Sequence, residues 1–492
     1  MREPVRDLAD LRAAMSGVKS GAIRPGIRVR AVTADSRKVK PGSVFVCLKG
    51  ARHDGHAFVQ KAVLDGAVAV VAGRPLRCRR PVIRVKDTRL ALAELSAEFW
   101  GHPSRFMDVV GITGTKGKTT TAYMLESILR VAGRKPALLG TVENRYGSIR
   151  FPHSLTTAQA PDLQFLLGHV AGRGADSTVM EVSSHALDLF RVTGVSFRAG
   201  IFTNLGRDHL DYHKTMARYF SAKARLFEEL PKASLGGVAV VNQDSPEGRR
   251  MAGRTAARVV RFSARGSRDA DISASHGSAS LAGTAFVLRE NGRRMPVRLK
   301  LIGLYNIANA LAAAGAARGM GLGLDAVRPG LEAVAGVPGR MVPVSIRAPF
   351  KALVDYAHTP DSLKWALRTV RGLARGRVLL VFGCGGNRDR GKRPRMGEIA
   401  ARLADFAWVT SDNPRDEDPM SIIAEITAGI RLNGRHSVEP DRRSAIRAAL
   451  ASARSGDVVL VAGKGHETSQ IVKGRRLPFD DVRVIRKLWM NA

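Results

Sequence analysis

Val109-Val-Gly-Ile-Thr-Gly-Thr-Lys-Gly-Lys-Thr-Thr120 decides how this chain is read. Its first residues are an apolar run of strand type, its middle is a glycine-rich loop, and Thr120–Ala132 carries a helical pattern. Backbone N–H groups of such a loop, together with a helix N-terminus, form a cradle for phosphate. Lys118 is placed to neutralise a terminal phosphate, and the Thr119 hydroxyl is placed to meet Mg2+. The stretch is not a strict Walker A, because Ile112 stands where that pattern has glycine; the glycines are Gly111, Gly114 and Gly117.

Similar apolar runs recur at Val44–Leu48, Val68–Ala72, Val238–Val241, Val378–Phe382 and Val458–Ala462, with helix-like segments such as Ile307–Ala317 and Ser421–Leu432 among them. Strands alternating with helices give an α/β protein whose parallel sheets are covered on both faces. Its 492 residues exceed one hydrophobic core, and about 150 residues per domain gives three domains. The loop Gly101-His-Pro-Ser104 and the break Gly336-Val-Pro-Gly339 set the expected boundaries: 1–102, 103–338 and 339–492.

The formal charge is +36, from 79 Lys+Arg against 43 Asp+Glu. That potential attracts polyanions in general and selects no function. Arginines are spread along the whole chain, only 5% of residues are aromatic, and the Arg249–Arg268 stretch is broken by Gly253 and Gly266. A nucleic-acid-binding protein, the alternative from another class, would need a basic helix or aromatic platform that is not found here. Cys47, Cys78 and Cys384 are too few and scattered for a disulfide framework. The N-terminus lacks a signal-peptide core and no apolar run approaches the ~18 residues of a membrane span, so a cytoplasmic protein is expected.

Downstream, Met180-Glu-Val-Ser-Ser-His-Ala-Leu187 offers Glu181 at a strand end, where a carboxylate can share a metal with phosphate. Thr203-Asn-Leu-Gly-Arg-Asp-His-Leu-Asp-Tyr-His213 packs five potential ligands or acid/base groups together, which read alone is as compatible with a polar turn as with a site.

With Tyr219-Phe-Ser-Ala-Lys-Ala-Arg-Leu-Phe227, Gly303-Leu-Tyr-Asn-Ile-Ala-Asn309, Gly339-Arg340 and Asp355-Tyr-Ala-His-Thr-Pro360 in the same order, the chain resembles the Mur ligases. These are ATP-dependent amide ligases of peptidoglycan precursor synthesis. The resemblance implies three α/β domains: a small N-terminal domain for a UDP-sugar, a central ATPase-like domain with a parallel or mixed sheet, and a Rossmann-like C-terminal domain for an amino acid. Asp35-Ser-Arg-Lys-Val-Lys-Pro-Gly42, Gly50-Ala-Arg-His-Asp-Gly-His56, Gly383-Cys-Gly-Gly-Asn-Arg-Asp-Arg-Gly-Lys-Arg-Pro394, Asp412-Asn-Pro-Arg415 and Gly463-Lys-Gly-His-Glu467 are similar to the branch that adds a third amino acid to UDP-N-acetylmuramoyl-L-alanyl-D-glutamate.

The Asp-Asn-Pro-Arg form goes with meso-diaminopimelate, whose extra carboxylate suits a planar guanidinium. By resemblance, Arg388, Asp412, Asn413, Pro414, Arg415, Gly463 and Glu467 hold that amino acid. Gly114, Thr115, Lys116, Gly117, Lys118, Thr119, Thr120, Asn306, Asn309, Arg340 and Asp355 would bind ATP. Ala34, Ser36, Ala51, Arg52, His53, Thr156, Thr157, Ser183 and Arg191 would bind the nucleotide-sugar peptide. Lys118, Glu181, His209 and Lys223 are the implied catalytic residues. Mg2+ would be held by Thr119, Glu181, His209 and Lys223, the last as an N6-carboxylysine carbamate. Leu155, Leu189 and Val342 depart from polar or acidic positions of some relatives. A monomer is expected. The rival readings are a lysine-adding ligase of the same branch, the ligase that adds the next dipeptide, and folylpolyglutamate synthase.

Overall fold

The computed structural model describes residues 4–21, 23–50, 53–152, 155–430 and 435–490. Ala51 and Arg52 of the expected nucleotide-sugar site lie outside the described residues. Two compact units are formed: one from 1–275, 287–297 and 307–333, the other from 276–286, 298–306 and 334–492.

The first unit opens with a five-stranded sheet in the order Val18–Ser20, Val82–Val85, Ala67–Ala72, Ser43–Val46, Ala31–Thr33. Only its first pair is antiparallel. The chain then enters a larger sheet whose parallel centre runs Pro136–Leu139, Ser177–Glu181, Asp108–Thr113, Phe197–Phe202, Val238–Asn242, Arg258–Ser263 and Ile272–Ser280. Two short antiparallel strands, Asn144–Tyr146 and Ile149–Phe151, close one edge, and Gly283–Glu290 and Arg293–Leu299 complete the eleven strands at the other. The central strands are buried on both faces, which is why they read as continuous apolar runs rather than alternating ones. Gly111 belongs to the strand, not to the loop: a Cβ there would stand 2.8 Å from the Phe197 ring and 3.0 Å from Leu226.

A six-stranded sheet forms the core of the second unit, in the order Val342–Val344, Lys351–Asp355, Val458–Ala462, Val378–Phe382, Phe406–Val409, His436–Val438. All neighbours are parallel except the first pair. The α/β class expected from the sequence is therefore observed, but each sheet is mixed, carrying antiparallel strands at an edge. The antiparallel edge strands Val18–Ser20, Asn144–Tyr146, Ile149–Phe151 and Val342–Val344 are three residues long each, too short for periodicity to announce them.

Helices start where the chain supplies caps. Asp87 accepts N–H bonds from Arg89 and Leu90 at the head of Thr88–Phe99, and Thr359 with Ser362 forms a reciprocal box before Pro360–Arg371. Lys118–Val131 instead opens on Gly117 at φ +87° with no side-chain cap, two residues earlier than the apolar pattern suggests.

Candidate active site

In the first unit the phosphate loop leaves the carboxyl end of Asp108–Thr113. Gly114 (φ +146°) and Gly117 (φ +87°) adopt backbone that disfavours other residues, and a Cβ on either would collide, with Thr203 Oγ1 or Asn309 Oδ1 respectively. The segment after the next strand clamps the loop. Asn204 Oδ1 accepts from Lys116 N–H at 3.0 Å, Thr203 Oγ1 donates to Lys116 O at 2.7 Å, and Gly206 N–H donates to Thr115 Oγ1 at 2.9 Å. Thr203, Asn204 and Gly206 stand in the polar stretch quoted from the sequence, yet their role there is to shape the loop.

Lys118 Nζ donates to the carbonyls of Gly114 (2.9 Å) and Thr115 (3.1 Å). Lys223, on the helix Met216–Glu228, reaches the same Gly114 carbonyl at 2.9 Å, and its Nζ lies 4.4 Å from the centre of the Tyr219 ring. Burial holds the Lys223 pKa well below the usual lysine range, and the Lys118 charge pushes it further down. Lys223 is an interior residue, 1% exposed.

Glu181 ends the strand that pairs in parallel with the loop's own strand. It is buried, and its Oε2 accepts from Thr119 Oγ1 (3.0 Å) and Thr141 Oγ1 (3.1 Å) while Oε1 accepts from Thr141 N–H (2.8 Å). Thr141 went unnoticed in the sequence; it lies two residues past the strand Pro136–Leu139, the neighbour of Glu181's strand. The site continues outward: Thr141 Oγ1 meets Thr156 Oγ1 (3.1 Å), Thr157 Oγ1 donates to Glu181 O (2.9 Å) and accepts from Ser183 N–H (3.0 Å), and Arg191 Nη1 donates to Thr157 O (3.3 Å). Four residues expected at the nucleotide-sugar peptide therefore share one hydrogen-bonded patch with Glu181.

His209, at φ +53°, heads the turn Leu210–His213 and packs edge-on to His185 with ring centres 4.9 Å apart. Burial lowers its pKa, Asp208 opposes this, and Lys118 and Lys223 add to it. Ala34 and Ser36 follow the strand Ala31–Thr33, and His53 lies in the loop after its parallel neighbour Ser43–Val46, so both segments leave the carboxyl ends of adjacent strands. Leu155 is exposed and Leu189 half-buried.

Among the described residues no three His, Cys, Asp or Glu side chains converge on one point. The donor chemistry nonetheless fits Mg2+: a buried carboxylate hydrogen-bonded to a hydroxyl beside a phosphate loop supplies hard oxygens to an ion that takes its remaining ligands from phosphate and water. An ammonium at Lys223 would repel that ion, and a carbamate would attract it.

The second unit holds the remaining candidates. Asp355 Oδ2 accepts from Met341 N–H (2.8 Å), Asn306 Nδ2 donates to Ile302 O (3.0 Å), and the Arg340 guanidinium lies 5.2 Å from the centre of the Tyr356 ring. Asp412, Asn413 and Arg415 gather with Gly463 and Glu467 beyond the carboxyl ends of Phe406–Val409 and Val458–Ala462. Asn413 Nδ2 donates to Glu467 Oε2 (2.6 Å), and Arg415, at φ +55°, donates from Nη1 to Gly386 O (2.7 Å). Pro414 sits between them and its carbonyl closes on Gly386, whose missing Cβ makes the approach possible. Burial first, then the neighbouring Arg388, lower the Arg415 pKa, opposed by Asp412 and Glu467. Burial pushes the Asp412 carboxyl up, opposed by Arg442 and Lys464. Arg388 itself is exposed, in the loop that also holds Gly386.

All three cysteines are free thiols, and no helix among the described residues is long and apolar enough to cross a membrane.

Three family models match: the Mur ligase family catalytic domain over residues 28–100, the Mur ligase middle domain over 112–317, and the Mur ligase glutamate ligase domain over 339–465. Relatives named UDP-N-acetylmuramoyl-L-alanyl-D-glutamate--2,6-diaminopimelate ligase include one from Syntrophomonas wolfei, 43% identical and covering 94% of each chain. Another, from Streptomyces avermitilis, is 45% identical over 93% of this chain and 92% of that protein. A solved structure of a ligase with that same name superposes with a TM-score of 0.68 at 34% identity, covering 94% of this chain and 95% of the other. MurF ligase from Thermotoga maritima in complex with ADP shares the fold, at 20% identity and a TM-score of 0.64, covering 94% of this chain and 97% of that one.

Proposed function

The chain belongs to the Mur ligase family, and from that premise we propose that it joins meso-2,6-diaminopimelate to UDP-N-acetylmuramoyl-L-alanyl-D-glutamate at the expense of ATP. Relatives carrying this activity in their names match 93–94% of it at 42–45% identity. The observation that carries the amino-acid choice is Arg415: a guanidinium aimed by a left-handed backbone and the Gly386 carbonyl, beside Arg388, offers a planar fork to a second carboxylate that lysine does not have.

The loop residues Gly114–Thr120 cradle the phosphates, and Lys118 shifts from the loop carbonyls to the terminal phosphate. Asn309 stands beside Gly117, and the family resemblance assigns Asn309, Asn306, Arg340 and Asp355 to the rest of the nucleotide. The D-glutamate carboxylate attacks the terminal phosphorus, ADP leaves, and an acyl phosphate results. An amine of diaminopimelate then adds to its carbonyl, and phosphate departs as the amide forms and the nitrogen loses a proton. Such transfer between anions needs charge neutralisation and alignment more than a protein nucleophile. Thr119, Glu181, His209 and Lys223 would hold Mg2+, which supplies that neutralisation when bound.

Lys223 supports this role as a carbamate: burial favours the neutral amine, which adds to CO2, its nitrogen forming the new bond and releasing a proton. Thr156, Thr157, Ser183 and Arg191, with Ala34, Ser36, Ala51, Arg52 and His53, hold the nucleotide-sugar peptide. We assign the reaction to the cytoplasm, where ATP is made available. The test is mass-spectrometric detection of the amide product from ATP, the nucleotide-sugar dipeptide and diaminopimelate. Product that appears only with all three supports the reading, and its absence overturns it.

A further inference from the structure

We propose that Lys464 is a positioning residue that assembles the amino-acid site before the substrate arrives, an inference that rests on the reading above. Its side chain is fully buried, and a buried ammonium persists only where its donors are met. All three of its donors are spent, on Ser469 O (2.7 Å), Asn413 Oδ1 (3.2 Å) and Glu467 Oε2 (3.2 Å). One ammonium thereby ties the loop 412–415, the loop 463–467 and the hairpin Ser469–Val472 with Arg475–Pro478.

Each tie bears on a residue of the proposed amino-acid site or on the hairpin beside it. Asn413 Oδ1 accepts from both Lys464 and Ile471 N–H (2.9 Å), so its amide has one orientation; flipped, its NH2 would face two donors. Its Nδ2 is thereby directed to Glu467 Oε2. That oxygen, with two donors, is satisfied, and Glu467 Oε1 is the one left without a hydrogen-bond partner among the described residues. Asp412 Oδ2 is buried without a hydrogen bond as well, 2.5 Å from where a Cβ on Gly463 would stand. Glu467 Oε1 is thus left to an incoming ammonium, while Lys464 offsets the repulsion between Glu467 and the buried Asp412.

The hairpin completes the frame. Arg415 N–H donates to Ile471 O (3.0 Å) and Arg415 O accepts from Lys473 N–H (2.6 Å), which holds Arg415 in a left-handed conformation that a residue with a Cβ disfavours. Lys464 anchors that hairpin at its first residue, Ser469.

The experiment is steady-state kinetics on the full chain with Lys464→Met, which keeps the apolar stem and removes all donors, and Lys464→Gln, which keeps two. The KM for diaminopimelate is expected to rise at least ~10-fold in the Met variant and less in the Gln variant, with the KM values for ATP and the nucleotide-sugar dipeptide within ~2-fold of wild type. An unchanged KM for diaminopimelate, or an equal rise in all three constants, overturns the proposal, as does failure of both variants to fold by circular dichroism, which would make Lys464 purely structural. Wild-type protein inert with diaminopimelate instead overturns the reading of the reaction itself, and this proposal with it.

Discussion

The candidate phosphate loop and the proposed amino-acid site are both built at the carboxyl ends of parallel strands, but they keep their shapes by different means. The loop depends mainly on backbone: two glycines in left-handed or more extreme conformations, and neutral hydrogen bonds with Thr203, Asn204 and Gly206, to which Lys118 and Lys223 add bonds to its carbonyls. The amino-acid site depends on buried charge: Lys464 beneath Asn413 and Glu467, the Arg442–Asp481 pair with neither side chain exposed, and Arg393 between Glu417 and Glu425. A site shaped by backbone can lose a charged side chain without unfolding, whereas one shaped by buried ions cannot lose half of a pair cheaply.

The largest effect should come from Lys118→Ala. We expect kcat to fall about a thousandfold while the melting temperature stays near wild type, read by coupled ADP release and scanning fluorimetry. A comparable loss of stability would break the contrast. Next, Asp481→Ala strands Arg442 in the interior and should cost roughly 3 kcal/mol in urea unfolding, with KM for ATP unchanged in the protein that remains folded. Arg415→Lys should raise the KM for diaminopimelate ~30-fold with little change in kcat, because a point charge replaces a planar fork.

Much of the candidate catalytic half's local structure is legible in the sequence, because a strand-to-helix glycine loop is written locally in Gly114–Thr120 and a strand-end carboxylate such as Glu181 follows from the apolar run before it. What is not legible spans distance. Asn204 contacts Lys116 across 88 positions, and Thr141 reaches Glu181 across 40. Arg442 finds Asp481 39 residues away. Lys464 lies inside a quoted motif, but in a chain with 79 Lys+Arg nothing marks one lysine as buried. The antiparallel edges were likewise hidden by their brevity.

The smallest effect concerns acid. The Arg393 guanidinium, with Asn387 N–H, holds the Glu417 carboxyl down to about 2, below its ordinary 4.5. The stability it contributes is complete above pH 4.5 and is lost as pH falls towards 2. Glu417→Gln should therefore flatten the fall in melting temperature across that window and leave the curve above it parallel to wild type. An unaltered acid limb would place the charge dependence of this region elsewhere.

Phosphate release from ATP, with the nucleotide-sugar dipeptide present and either meso-diaminopimelate, L-lysine or no amino acid added, tests the central claim most directly. The phosphate loop with Glu181 and the site around Arg415 predict sustained release with diaminopimelate alone. Equal release with lysine would contradict the assignment of Arg415, and no release under any condition would contradict the ligase itself.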